Sequence, residues 1–538
     1  MSRGLDRLIG RRFDVVVVGG GITGAGVALD AAARGLSVAL VDRGDLASGT
    51  SSKSSKLVHG GLRYLQHREF GLVRQNLAER HRLLANAPHL VRPLPFLVPL
   101  LGQGAVVDRA VATGYTTALW AYDLAGGLRI GHRHRRVTAT VVRERFPALR
   151  QDLVAAGFVY HDAAADDARL TLAVARTAID RGATVVTYAP VVGLRTGPYG
   201  RLDGVRLDGG VDVDAGVVVN ATGVWSDILR DLDRDPVPPV LAPAKGTHIS
   251  VNRDRLVCHM AAVLPTGPDG RSVFVVPWGE QVYIGTTDTA YAGPLNHVAC
   301  DADDIAYLLA AVNAVVRDPL GPGDVVGAWA GLRPLIAHAP SARTADLSRR
   351  HSVTTSPSGL ITVTGGKLTT YRVMAADTVD RVVTLLGGGA GRSPTARLAL
   401  RGAAGTPELR RPGAAADLGV DPVVLAHLVD RFGGEAPGVI ALLREDPDLS
   451  RPLVPGLPYL RAEAVWSARH ELVRHLDDVL SRRTRAVILA RSATVAAAAS
   501  VAELLAPELG WDEARTRSEV AEFRARVADE QAGSECRP

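Results

Sequence analysis

Of the 62 basic residues in this chain only four are lysines, and Lys53, Lys56, Lys245 and Lys367 all fall within three short stretches, residues 48–66, 242–250 and 361–372. Where arginine is used almost everywhere else, a retained lysine points to a compact point charge or a donor whose pKa can be moved. Two histidines share these stretches: His59 follows the first lysine pair, and His248 lies three residues past Lys245. Imidazoles can take up or release a proton near neutral pH. Arg63 and Arg333 stand out among the arginines because they follow His59-Gly-Gly and Gly331-Leu, where backbone is expected to approach something closely. Cys258, Cys300 and Cys536 are too far apart for a metal site, and no metal is expected.

The elements that would position these groups begin at the N-terminus. Residues 13–18 (FDVVVV), the run GGGITGAGVALDAAARG and then LSVALVD read as strand, glycine turn, helix and strand. Gly19, Gly21 and Gly24, with Ile22 and Thr23 between them, fit a turn that lets a pyrophosphate reach backbone N–H groups; Asp42, followed by Arg43, ends the second strand where a carboxylate can bind ribose hydroxyls. Residues 217–223 (VVVNATG) read as a buried strand running into a turn of small residues, Ala221, Thr222 and Gly223. Gly365-Gly366-Lys367-Leu368-Thr369-Thr370 follows another strand and should start a helix, whose N-terminal dipole suits the electron-rich end of a reduced flavin. Three segments so far apart converging on one elongated ligand favour FAD over NAD. Further strands are expected at 183–188, 272–278, 282–287 and 360–366, and a helix over about 70–87. The gap between the first βαβ unit and 217–223 implies that substrate-binding segments interrupt the nucleotide-binding sheet.

The stretch Thr50-Ser-Ser-Lys-Ser-Ser-Lys-Leu-Val-His-Gly-Gly-Leu-Arg-Tyr-Leu65 closely resembles the signature of the FAD-dependent glycerol-3-phosphate dehydrogenases. So do Lys245 to His248, Gly285-Thr-Thr-Asp288 with Gly331-Leu-Arg-Pro334, and Gly365 to Arg372; Glu463 to Arg485 is similar to the family's C-terminal motif. The resemblance implies FAD contacts from Thr50, Ser51, Ser52, Ser55, Lys56, Leu57, His59 and Gly60, as well as from Gly366 to Thr369, and puts Thr287 and Asp288 on the substrate side with Arg63, Tyr64, Arg333, Arg349 and Lys367, the candidates for the several fixed donors that a phosphate dianion needs. It implies oxidation of sn-glycerol 3-phosphate to dihydroxyacetone phosphate, with hydride passing from C2 to flavin N5 and electrons going on to a quinone. The alternatives are an oxidase that passes electrons to oxygen and makes peroxide, and a catalytically silent FAD-binding sensor. Loss of the C2 hydroxyl proton requires a base beside the flavin. His248 is the first candidate, His59 the second and a neutral Lys367 the third. Two departures from the family pattern are Arg350, where an acid is usual, and Asp42, where Glu is frequent.

A chain of 538 residues, 47% hydrophobic and 22% charged, needs more than one core. The fold class expected is α/β: a Rossmann-like FAD-binding domain with an interleaved α+β substrate domain over 10–385, a linker at 386–404 and a C-terminal α-helical domain over 405–530. The net charge of +6 is small for this length, and no nucleic acid partner is expected. No secretory signal or spanning segment is read, so the expected location is the cytoplasm, peripheral on the cytoplasmic face of the inner membrane. Ala118 to Leu124 followed by the basic run Leu128 to Val137 offers a surface for anionic headgroups. A homodimer is left open.

Overall fold

The computed structural model describes residues 4–66, 69–107, 109–233, 240–265, 272–337 and 350–532. Its first sheet is built on the strand Arg12–Val18, which runs parallel to Val38–Val41 on one side and Asp212–Asn220 on the other. Thr184–Val186 extends the parallel set beyond Val38–Val41, and Ile361–Gly365 extends it beyond Asp212–Asn220. His351–Thr355 closes that edge antiparallel. A parallel strand is covered on both faces, and this is what the unbroken valine run requires. Val15 and Val17 face the helices Ile22–Ala33, Asp167–Asp180 and Tyr371–Leu385, while Val16 and Val18 face the hairpin Val191–Thr196 and Leu202–Leu207.

The second sheet is mixed and carries the other half of the site. Its strand Ala244–Asn252 lies between Gln281–Gly285 and Val325–Arg333, both antiparallel, so His248 has Gly285 on one side and Trp329 on the other. The long pair Val91–Leu101 and Val154–Ala165 extends the sheet toward Leu57–Val58. The helix expected over 70–87 is Phe70–Asn86, which lays Leu72, Val73 and Leu77 on this half of the molecule.

Beyond residue 405 the chain is helical. Leu425 to Val465 form a core of their own, but Leu453 to Val527 also contribute to the core that holds Phe96, Tyr160 and Trp329. Leu398 and Leu400, from the segment read as a linker, pack against the core of the first sheet. Helical periodicity and a glycine-rich composition reveal the elements, but not the surfaces on which they settle. Among the described residues no helix is long and apolar enough to cross a membrane.

Candidate active site

At the carboxyl ends of Arg12–Val18, Asp212–Asn220 and Ile361–Gly365 lies a cleft of about 270 Å³. It is lined by Gly19, Gly21, Ile22 and Thr23, by Asp42, Arg43, Thr50 and Ser51, by Ala221, Thr222 and Gly223, and by Gly366, Lys367 and Leu368. Gly24 stands behind it, where a Cβ would lie 1.8 Å from the Gly19 oxygen, so only glycine lets the helix start this close to the turn. No side chain caps Ile22–Ala33, although the Ile22 N–H donates to Ser51 Oγ at 2.9 Å. Such a helix end suits a pyrophosphate. The Asp42 carboxylate accepts from the Gly20 and Gly44 amides at 2.5 and 2.7 Å. Burial pushes its pKa up to about 6, against the pull of these two amides. Arg43 sits at the rim, its guanidinium 4.3 Å over the Trp225 ring and donating to Asn296 Oδ1 at 2.7 Å. A glycine turn at a helix start, a half-buried carboxylate for ribose and a second helical start opposite them fit FAD.

A second chamber of about 180 Å³ shares Thr50, Pro334 and Gly365 to Leu368 with this cleft, so the two are continuous. Ser55, Leu57, His59, Tyr64, His248, Arg333 and Thr369 line it. Lys367 immediately precedes the turn Leu368–Thr370 that leads into Tyr371–Leu385, where the sequence places a helix start, and its ammonium is 3.7 Å from the Tyr64 ring centre. Arg333 spreads its fork over Asp288 Oδ1 at 3.0 Å, the Thr287 carbonyl at 3.0 Å and Thr286 Oγ1 at 3.2 Å. Thr287 itself is buried, with its hydroxyl accepting from the Thr247 amide at 2.9 Å. The His59 ring stands edge-on to Phe274, 6.5 Å away, and its amide reaches Thr369 Oγ1 at 3.3 Å.

His248 is the most enclosed of the candidate bases. Its ring stacks on Trp329 at 4.8 Å and 4°, with Nε2 2.8 Å from Ser55 Oγ. Its Nδ1 is buried and has no hydrogen-bond partner among the described residues. Burial, reinforced by the nearby charges of Lys56 and Arg333, holds its pKa well below the ordinary histidine value, so the imidazole is neutral at physiological pH. The space it fills exists because its neighbour is Gly285, where a Cβ would fall 2.0 Å from His248 Cδ2. Gly285→Ala is therefore expected to displace the ring and slow substrate-dependent flavin reduction by roughly 100-fold. Stopped-flow absorbance of the FAD-loaded variant checks this; an unchanged rate would mean that the ring position does not matter.

Several residues expected at the cofactor stand behind the wall instead. The Lys56 ammonium faces away from both cavities, donating to the Ser52 carbonyl at 3.0 Å and to Asp167 at 3.1 Å, and burial lowers its pKa to about 8. Ser52 lines neither cavity, and the Gly60 amide is buried against Tyr122 Oη at 2.9 Å. Arg63 opens the short helix Arg63–Gln66, but its side chain, like Arg349 as a whole, lies outside the described residues. Sequence reading does not find Trp329 or the Ser55–His248 contact. Both depend on strands that pair across long stretches of chain, and no local signal marks them.

A parallel sheet that opens on a glycine-lined dinucleotide cleft, joined to a chamber holding a neutral histidine and cations, defines a flavin-dependent oxidoreductase. The family model "FAD dependent oxidoreductase" matches residues 14–372, and "C-terminal domain of alpha-glycerophosphate oxidase" matches 393–516. Glycerol-3-phosphate dehydrogenase 2 of Mycobacterium tuberculosis is 44% identical over 534 residues, covering 97% of this chain and 89% of the relative. The mitochondrial glycerol-3-phosphate dehydrogenase of Rattus norvegicus is 37% identical over 531 residues, covering 94% and 72% respectively. The solved structure of the glycerol-3-phosphate dehydrogenase from Bacillus halodurans complexed with FAD superposes with a TM-score of 0.79 at 31% identity, covering 98% of this chain and 96% of that one. The chain belongs to the FAD-dependent glycerol-3-phosphate dehydrogenase family.

Proposed function

We propose that this protein oxidises sn-glycerol 3-phosphate to dihydroxyacetone phosphate and passes the electrons to a quinone. The observation that carries the reading is the continuity of the two cavities through Gly365 to Leu368, which sets Lys367 at the junction of a dinucleotide cleft and a cation-lined chamber. Arg333 and Lys367 hold the phosphate, with Arg63 and Tyr64 as further candidates, and Arg349 keeps that role as an expectation. His248, neutral and framed by Ser55 and Trp329, takes the C2 hydroxyl proton. Bound FAD supplies the acceptor for the C2 hydride. Anaerobic mixing with glycerol 3-phosphate is expected to bleach the flavin, while glycerol and amino acids leave it yellow; bleaching by an amino acid instead would overturn the substrate assignment. Oxygen is retained as a second acceptor because the matching C-terminal model is that of an oxidase. Stoichiometric peroxide with no response to added quinone would select it.

A lipid-soluble acceptor requires a docking face, and the helix Arg109–Leu124 with its flanks supports one. Val106, Trp120, Leu124 and Leu128 are exposed, Leu124 at 76%, beside the exposed Arg129, Arg133, Arg135 and Arg136. Apolar side chains rimmed by arginine suit an anionic bilayer surface. Binding to vesicles containing anionic lipid is expected to weaken with salt and to fall about ten-fold or more in Leu124→Asp, since one apolar anchor is lost and a repelling charge added. Co-sedimentation measures this, and equal binding by parent and variant would exclude this face.

A further inference from the structure

The chamber wall that carries Ser55 is braced from behind, and part of the brace comes from the helical C-terminal region. On its inner side the segment 50–56 presents Ser51 Oγ to the Ile22 amide and Ser55 Oγ to His248 Nε2. On its outer side the Ser52 carbonyl accepts from both Lys56 Nζ and the Arg485 guanidinium. The same two cations meet again on Asp167 Oδ1, Lys56 at 3.1 Å and Arg485 at 2.7 Å. Asp167 Oδ2 then accepts from the Ser54 amide at 3.0 Å and the Ser54 hydroxyl at 2.7 Å. One buried carboxylate thus ties the backbone on both sides of Lys53 to a residue far along the chain.

The backbone supports a specific purpose for this arrangement. Lys56 and Arg485 are both non-glycine residues with left-handed backbone, φ 56° and 65°, a conformation kept only where the surroundings over-determine it. Arg485 follows the π-helical turn Asp478–Arg483, itself a rare local structure, and is 1% exposed. Burial would raise the Asp167 carboxyl, but the charges of Lys56 and Arg485 outweigh it and hold the group ionised, below its ordinary pKa. Removing either cation therefore leaves a buried charge without one of its partners, and the loop must respond.

We propose that Arg485 is a positioning residue for the oxidation site: through Asp167 and the Ser52 carbonyl it locks the Ser52–Lys56 loop so that the Ser55 hydroxyl holds the His248 imidazole in place. This rests on the function proposed above, and it makes the helical region a part of the catalytic apparatus. Arg485 also lines a cleft of about 650 Å³ between the helical region and the 44–53 segment.

The test compares FAD-loaded parent, Arg485→Lys, Arg485→Ala, Ser55→Ala and the Arg485→Lys/Ser55→Ala double variant. Stopped-flow absorbance gives the limiting rate of flavin reduction by glycerol 3-phosphate. Arg485→Lys and Ser55→Ala are each expected to lower that rate about ten-fold or more with half-saturation changed less than about two-fold, since the phosphate cations are untouched. The double variant should be no slower than the slower single, because both act through one imidazole. Amide exchange in the 50–58 peptide should quicken in Arg485→Lys with FAD content unchanged, and millimolar guanidinium should restore rate to Arg485→Ala but not to Ser55→Ala. If Arg485→Ala fails to fold, the lysine variant carries the test. A parental rate in Arg485→Lys, or multiplying losses in the double variant, would overturn the inference. Parent enzyme that glycerol 3-phosphate does not bleach would instead sink the proposed function, while amide exchange at 50–58 would still judge the brace.

Discussion

Lys367→Met is expected to slow flavin reduction by glycerol 3-phosphate roughly 10²- to 10³-fold, the loss seen when one preorganised donor facing developing negative charge is removed. Lys367 sits where the cleft and the chamber join, at the start of a turn and helix, with its ammonium over Tyr64. From that position it can hold the substrate phosphate or balance charge gained by the cofactor, and both roles are electrostatic. Lys367→Arg separates charge from shape. A guanidinium keeps the charge, but it is planar, larger and unable to release a proton. The retention of lysine in a chain that otherwise uses arginine leads us to expect that Arg fails nearly as badly as Met. Rapid mixing of the two FAD-loaded variants with substrate decides the matter: a near-parental rate in Lys367→Met would remove the residue from the mechanism.

Arg333→Ala is expected to raise the KM for glycerol 3-phosphate roughly 10- to 150-fold with FAD binding intact, from the 1.5–3 kcal/mol typical of a hydrogen bond to a charged group. The effect should fall on the phosphate ester and not on glycerol. Part of the loss comes from the protein itself, because Asp288, at 9% side-chain exposure, loses its ion pair with Arg333. Arg333→Ala/Asp288→Asn addresses that part. If the double variant regains only a small share of the lost affinity, the guanidinium contacts phosphate directly; full recovery would assign Arg333 to holding Asp288. An unchanged KM in Arg333→Ala would exclude it as a phosphate ligand.

The cofactor end of this site is legible in the sequence because its determinants are local. Gly19 to Gly24, Asp42 and the strand before them lie within one βαβ unit, and each residue's role follows from its place in that unit. Lys367 is legible for another reason, its rarity. The brace behind the chamber is not legible: Arg485 ends the stretch that resembles the family's C-terminal motif, but neither that stretch nor anything near Asp167 in the chain announces that the two meet. Lys56 shows the same limit from the other side. Its rarity draws attention to it and the motif places it at the cofactor, yet a left-handed backbone turns its ammonium toward Asp167. The segment 386–404 reads as a linker from its glycine and proline, but composition reports backbone freedom, while the contacts of Leu398 and Leu400 depend on core surfaces made elsewhere.

The order of strands in the first sheet has a consequence for how the protein is made. The cleft needs Arg12–Val18 and Asp212–Asn220 side by side, and then Ile361–Gly365 and Lys367 to complete its far wall. During translation the glycine turn emerges before Asp212–Asn220 and long before Ile361–Gly365 and Lys367, with Arg485 later still. A nascent chain must therefore keep its valine-rich first strand unpaired on one edge for a long time, a state open to chaperones and to aggregation. A product ended before Ile361 lacks the far wall of the cleft, so flavin capture waits for that strand.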